Sequence, residues 1–507
     1  MPRLPIGKAY MSSSRIAGGQ RRVNLYPEQN QPSAPTDTTL YPVPGLTPKG
    51  APPTVGHGRL LYPATNGDLY GVVDQSVYFI DKNFTFNPIG VLTSGRLNPA
   101  YAADNGTTIL IVDGSVPGTP VGNSAGVQIN MATRTLTQIS DPNFLGADRI
   151  SFINYFLVMN KPGTPIWYST QANSVIFNAL QFGQLTYWPG NCTGLIANEA
   201  AVWLFNSQKG EVWQDAGLPV FAFAPQSGGI IEHGLVGPYA LGRYDIDIYW
   251  LAQSPEGGRM AMRGSGQSAV RISTHAIEEE WLTYPTVSDC IIQTYQIRGH
   301  FFAVFTFATA DRTWVYDRLT ESWYEEAFYD VNGVQHRAKD TFMAYAYGLN
   351  LSLDWQTGAL YERDEDNFSI AGLDQIYIND FPHVLDVEDM NRFTIWRVIG
   401  DMISEDSVGL SVPIVLSPWS AGFSSGFGPR TLSNPPFLTM QISRDRGKSF
   451  WTHSDQLLAG PYGYNVRPTF NRCGVAYDAV LRFQWKGPFK TAMNPPFIVI
   501  EEHEADQ

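Results

Sequence analysis

Short apolar runs with every second residue inward-facing in character, broken by glycine turns, dominate the chain from about Gly56 to Phe368. Alternation at period two predicts β-strands, and Asn-Gly, Asp-Gly or Gly-Gly between such runs predicts tight hairpins. Seven strand-rich units repeat the pattern: 58–81, 105–115, 148–160, 193–213, 244–266, 297–323 and 340–364. Their starts lie about 40 to 53 residues apart, the length of a four-stranded propeller blade. In "TWVYDRLTESW", Trp314 and Tyr316 fall on one strand face and Trp323 restarts the chain after a polar turn. The expected domain at 51–370 is therefore a β-propeller of six or seven blades, six if the first and last units share one blade.

Residues 1–50 have almost no period and carry Pro27, Pro32, Pro35, Pro42 and Pro44, which predicts an extended arm running over another surface. An acidic, proline-containing connector occupies 371–392, after which alternation resumes. In 393–507 the runs "RFTIWRVIGDMI", "SVPIVL", "FLTMQIS", "YNVRPTF", "AVLRFQW" and "FIVIE" read as strands of a β-sandwich-like domain, with a Ser/Gly/Phe/Pro loop at 417–436. The fold class is all-β: arm, propeller and sandwich.

Composition sharpens this picture. Charged residues are 16% of the 507 and aromatic residues 13%, against about 25% charged in an average domain, which excludes a coiled coil and a disordered scaffold. The net charge of −13 lacks the basic footprint of a nucleic-acid-gripping protein. The one basic stretch holds Arg3, Lys8, Arg15, Arg21 and Arg22 with no acid before Glu28, and reads either as a solvated terminus or as a segment that docks on an acidic partner or nucleic acid. Cys192, Cys290 and Cys473 are far apart with no CxxC, so they read as buried thiols, not a metal site. No apolar h-region and no 18-residue apolar run occur, so a soluble protein made without a secretory leader is expected.

Enzyme motifs fail on context. Gly422 to Gly426 has the letters of a nucleophile elbow, but neither a strand before it nor a helix after it. "GSGQS" at 264–268 lacks a following helix, and the eight histidines form no HExxH, so no catalytic, cofactor or metal residue is assigned. His300 reads as a satisfied blade histidine. The acid clusters Glu278–Glu280 and Glu325–Glu326 read as solvated loop or edge charge, because neighbours on a strand point to opposite faces. One local motif is specific: Ser443, Asp445, Gly447 and Phe450 match the Asp-box S-x-D-x-G-x-[TS]-[WF], a hairpin in which the aspartate accepts backbone N–H groups and glycine takes a positive φ. Asp-boxes recur in sialidase propellers, which keeps a glycan-binding or glycoside-hydrolase propeller as the alternative.

"RRVNLYPE" (21–28), "LYPVPGL" (40–46), "ADNGT" (103–107), "GHFFAVFTFATADRTWVYD" (299–317), "SRDRGKSFW" (443–451) and the glycine-rich run from Gly460 to Phe483 occur in the order found in the packaged-DNA stabilisation proteins, the tail hub or nozzle proteins of short-tailed phages, which the chain resembles. The signature positions are Asn24, Leu25, Tyr26, Pro27, Glu28 and Gly45; Trp314, Tyr316 and Asp317; Ser443, Asp445 and Gly447; and Gly460, Gly463, Tyr464, Arg467, Gly474, Asp478 and Arg482. Two places depart: Arg472-Cys473 stands where an aromatic is expected, and "YWPGN" replaces a Pro-Asp signal. The resemblance implies a non-enzymatic virion protein, made in the host bacterial cytoplasm and residing in the tail. It implies a ring of six copies below the portal adaptor protein that extends and closes the DNA channel. It also implies a tailspike or fibre outside, a plug or needle at the end, and passing double-stranded DNA held without sequence-specific contacts. An acidic lining would let DNA slide without counterion release.

Overall fold

The computed structural model describes residues 2–12, 20–198, 201–254, 257–266, 268–385, 391–404, 437–458, 465–487 and 490–502. Seven antiparallel blades are present among them: Gly58–Val91, Tyr101–Gln138, Ile150–Gln184, Gly194–Ile231, Gly234–Arg271, Cys290–Tyr329 and Asp340–Asp364. Each coincides with one of the seven units read from the sequence, within two residues at its start where the unit begins first. The innermost strand of each blade lies against that of the next, and Asp340–Ala346 returns to Gly58–Pro63, so the ring closes at seven. Closure leaves the hydrophobic cores between blades, not within them. Blades 1 and 2 share Tyr70, Val72, Ile109 and Ile111, and blades 4 to 6 share Trp203, Trp250, Phe305 and Trp323.

Blade 7 supplies only three of its own strands. The fourth is Gly45–Gly50 from the N-terminal arm, which pairs antiparallel with Leu360–Asp364. The first and last parts of the propeller chain are thus zipped together, and a ring held by hydrogen bonds between distant segments opens only if that strand leaves. Gly45 is required for the approach: a Cβ there would sit 2.5 Å from the Asn367 carbonyl oxygen and 2.6 Å from that of Ser369.

The C-terminal strands form two facing sheets. One contains Leu25–Gln29, Thr38–Pro42, Thr491–Glu502 and Phe393–Ser404, the last also paired with Thr469–Ala476. The other contains Ile376–Asp380, Asp478–Lys486, Phe437–Ser443 and Trp451–Leu457. Leu25, Leu40, Phe393, Val398, Met440, Leu481 and Phe483 fill the space between them. The second sheet does not stop at the domain border. Arg22–Val23 pairs parallel with the outer strand of blade 6 on one side and antiparallel with Ile376–Asp380 on the other, making one eleven-stranded sheet from propeller to sandwich.

The arm is extended, and its stretches 22–29 and 38–50 lie in the sheets of both bodies. Residues 371–392 include the strand Ile376–Asp380. Glu278 to Glu280 belong to an unexpected helix, His275–Leu282, which drops Trp281 into the core between blades 5 and 6. The "SVPIVL" run and the 417–436 loop lie outside the described residues, as does the Gly422–Gly426 letter match.

Replacing Gly45 with valine is expected to lower the urea midpoint by the equivalent of about 2–3 kcal/mol, with limited proteolysis entering first in blade 7. Cleavage spread evenly over all blades would show that the ring does not close through this strand.

Candidate functional site

No blade face gathers the chemistry that the sequence singled out; the seam between blade 6 and the sandwich does. Asn24 is buried with φ +57°, the left-handed region that asparagine tolerates better than other side chains. Its side-chain amide donates to the carbonyls of Ala327 (2.9 Å) and Ile376 (2.8 Å), and its Oδ1 accepts from the Ala327 N–H at 2.8 Å. Its own N–H donates to the Glu325 carbonyl and its carbonyl accepts from Val43. One residue thereby hydrogen-bonds blade 6, the connector strand and the returning arm.

The next two residues divide between the bodies, as alternate strand positions must. Leu25 enters the sandwich core, while Tyr26 packs on blade 6 against Phe302 and His300, ring centroids 5.6 and 5.2 Å away. Pro27 is buried and Glu28 half-buried; they pair with Leu40 and Thr39. His300 is buried and shares a 2.8 Å contact with Asp317, which also accepts the Thr320 hydroxyl and the Leu319 N–H. Trp314 donates its indole N–H to the Tyr284 hydroxyl at 2.9 Å, and Tyr316 packs on Trp323 in the same core.

Glu325 and Glu326 correct the expectation of solvated charge: both are about 5% exposed. They do point to opposite faces. Glu326 receives the guanidinium of Arg363 and the Tyr295 hydroxyl, inside the propeller. Glu325 takes two bonds of 2.9 Å from Arg21 and one of 2.6 Å from the Tyr10 hydroxyl, both from the N-terminal segment. Burial alone would push the Glu325 carboxyl up, but Arg21, Tyr10 and Gln335 outweigh it and hold the group below its ordinary value. Arg3 reaches Asp401 and Lys8 reaches Glu321, so the acidic partner of the basic stretch is this chain itself; Arg15 lies outside the described residues.

The Asp-box folds as its chemistry requires. Ser443 donates to Asp445 and accepts the Gly447 N–H, Asp445 accepts the N–H groups of Lys448 and Ser449, and Gly447 has φ +80°. Hydrogen bonds from Ser449 hold the Asp445 carboxyl well below the carboxylate range. The hairpin faces the seam. Arg482 lies 3.6 Å over the Phe450 ring and makes a two-pronged contact with Asp380 at 2.5 and 2.8 Å, while Asp478 bonds His383 at 2.7 Å and Arg446 at 3.5 Å. Burial keeps the Asp380 carboxyl above its ordinary value despite Arg482. Between these groups is a cleft of about 710 Å³ lined by Tyr10, Arg21, Glu325, Arg446, Lys448 and Arg482 among others.

Some signature positions do not join the seam. Arg467 is exposed at the sandwich, and Gly460, Gly463 and Tyr464 lie outside the described residues. Gly474 takes a positive φ of +92°, and a Cβ there would meet the end of the Arg444 side chain, which donates to the Cys473 carbonyl. All three cysteines are buried and free, and no cluster of metal-binding side chains occurs among the described residues. The cavity on the propeller axis is about 180 Å³ and is lined by groups such as Tyr62, Tyr101, Arg149 and Arg243, with no aspartate or glutamate in its lining. It does not present the paired carboxylates that glycoside hydrolysis needs.

A closed seven-bladed propeller in which several signature residues build a domain joint defines a β-propeller scaffold. Residues 19–352 match the phage stabilisation family, described as "Bacteriophage P22 Gp10, beta-propeller", and the chain belongs to that family of phage structural proteins. The match ends inside blade 7, so it includes the arm strands of the sandwich, while the sandwich strands that follow the propeller and the Asp-box lie beyond it. No curated protein matches the chain. Among solved structures, the extracellular domain of the one component system BT4673 from B. thetaiotaomicron is similar at 7% identity and TM-score 0.42; the match covers 62% of this chain and spans only 39% of that one. A streptogramin B lyase is similar at 9% identity and TM-score 0.42, covering 62% and 96% of the two chains. The N-terminal domain of Nup159 is similar at 8% identity and TM-score 0.39, covering 68% and 98%. Likenesses this distant carry no weight for function.

Two variants test the joint. Asn24→Ala removes three buried side-chain hydrogen bonds at a left-handed backbone position and is expected to cost about 3 kcal/mol in chemical unfolding; Asn24→Gly, which keeps the backbone freedom, should cost about 1 kcal/mol less. Glu325→Gln breaks a buried ion pair and is expected to cost about 2 kcal/mol at pH 7. Because the native carboxyl titrates below the unfolded value of about 4.3, its stabilisation is complete above that pH and is lost as pH falls through the lower native value. The gap between wild type and Glu325→Gln in urea midpoint should therefore close below about pH 4. A gap that persists there would remove the ion pair as its cause.

Proposed function

We propose that the protein is a structural component of a short phage tail. In this reading six copies form a ring below the portal and its adaptor, extend the DNA channel, close it after packaging, and carry tailspikes or fibres outside and a plug or needle at the end. The observation that carries the reading is the family match over residues 19–352, on a chain in which signature residues such as Asn24 are spent on the joint between propeller and sandwich. A retaining ring bears the pressure of packaged DNA, and a sheet continuous from propeller to sandwich resists hinge motion better than a linker would. Closed propellers present their loops as binding platforms, which suits attachment of several partners. The net charge of −13 suits a wall along which DNA moves without being held.

The alternative, a glycan-binding or glycan-cleaving propeller, needs convergent carboxylates with aromatic platforms. The axial cavity has the aromatic residues but not the acids.

Electron microscopy of the purified chain and of virions lacking it tests the proposal together. A sixfold ring with an open axis, and particles that package DNA but leak it, are the expected outcomes. A ring with a basic channel wall would overturn the electrostatic part, and particles that retain DNA without the protein would overturn the retention role.

A further inference from the structure

Propeller blades expose the outer edge of their last strand, and this chain protects most of its edges; the nine-residue outer strand of blade 4, Phe223–Ile231, carries Pro225. Blade 1 carries Pro88 in its outer strand, and the Gln138 side chain caps the Val91 carbonyl at 2.8 Å. The outer strands of blades 2 and 5 have only four residues each, with Arg134 flanking one and Arg271 ending the other. Blade 6 is covered by Arg22–Val23 and blade 7 by Gly45–Gly50. Short strands, prolines, charges and covering segments are the usual defences against edge association.

Blade 3 has none of them. Its outer strand, Phe177–Gln184, is eight residues long, contains no proline, and among the described residues has no strand paired on its far side. A bulge between Phe177 and Phe182 throws Leu180 outward, where it is 64% exposed. The 216–222 loop of blade 4 continues the surface: Phe221 packs against Trp167 and the Gly183 position, and its neighbours Leu218 and Val220 are 49% and 55% exposed. No Asp, Glu, Lys or Arg occurs between Lys161 and Glu199, or between Asp215 and Glu232. The lack of charge identifies the occupant. Two copies of a chain at −13 repel one another, and a face free of charge is where that repulsion is least and apolar burial is greatest. A basic partner or DNA would instead be met by acids, which this face does not offer.

We infer that the outer face of blades 3 and 4, centred on Leu180, Phe182, Leu218 and Val220, is a contact between copies of this chain. The inference rests on the assembly reading above and adds the surface that performs it. A heterologous contact, this face against a different surface of the next copy, propagates into a ring; the face against itself gives a two-fold dimer.

The test uses the full chain. Leu180→Lys with Phe182→Lys places charge on the face, and Val121→Lys with Val331→Lys places the same charge on two other exposed sites, 100% and 81% accessible. Sedimentation velocity over a concentration series is expected to show self-association at least tenfold weaker for the first pair, with the control like wild type and all three unfolding at similar urea concentrations. Unchanged association of the first pair, or a wild type that stays monomeric throughout, overturns the inference; in either case sixfold rings seen in virions would leave the tail reading intact. A wild type that forms only two-fold dimers, abolished by the first pair, supports the contact and counts against the ring.

Discussion

Everything between the propeller and the sandwich depends on a two-residue strand and the asparagine after it. Arg22 and Val23 are too short to be stable alone, and their pairing on both sides is what makes one sheet of two bodies. Asn24 then reverses the backbone handedness and satisfies five polar groups at once, so Leu25 and Tyr26 can face different cores. An alanine-like residue at this point would leave buried carbonyls of both bodies without donors, a penalty that low dielectric makes large. Burial lowers the neighbouring Arg22 guanidinium to about 10, and among the described residues it donates to Asn379 and the Gly7 carbonyl. Arg22 therefore serves the joint by packing and hydrogen bonding, while Arg21 supplies its ion pair with Glu325.

The same arm also closes the ring, and the two roles reinforce each other. From Arg21 to Gly50 the chain passes from the seam, through the sandwich strands Leu25–Gln29 and Thr38–Pro42, to the outer edge of blade 7. Opening blade 7 would strain the sandwich strands, and loosening the sandwich would free the closing strand. Coupling of this kind merges units that a list of domains would separate, and it favours a single cooperative transition over domain-by-domain unfolding.

How much of this could be read in the residues follows from how local each interaction is. The seven strand-rich units were legible because hairpin turns and period-two alternation are local, and the aromatic pair Trp314 and Tyr316 marked the best-formed unit; the blade number, six or seven, was not, because it depends on which strand completes the last blade. The Asp-box was legible for the same reason: Ser443, Asp445 and Gly447 bond one another within a few residues. The seam was not. Glu325 looked like an exposed edge charge because its partner Arg21 is 304 residues away, and nothing near Glu326 announces Arg363. Gly45 and Asn24 were visible as signature residues by resemblance, but their reasons, a close carbonyl approach and a shared amide, exist only once distant strands meet. The short helix at His275–Leu282 was hidden by its length: its buried stripe is only Ile277 and Trp281, one turn apart, too few positions to establish a helical period.

The basic N-terminal stretch bears on how such a protein would hold DNA. Before folding it is the one place where the acidic chain looks capable of gripping phosphates. After folding, Arg3 and Arg21 are engaged by Asp401 and Glu325, Lys8 is beside Glu321, and Arg22 is buried. Releasing Arg21 for a phosphate would leave Glu325 buried without its cation, at a cost of several kcal/mol per site, more than one exposed phosphate contact returns. Among the described residues, then, the segment's charge serves the joint. Retention of a genome by a ring of such chains would have to come from closing the channel sterically, with the acidic surface keeping the polymer mobile until the channel opens.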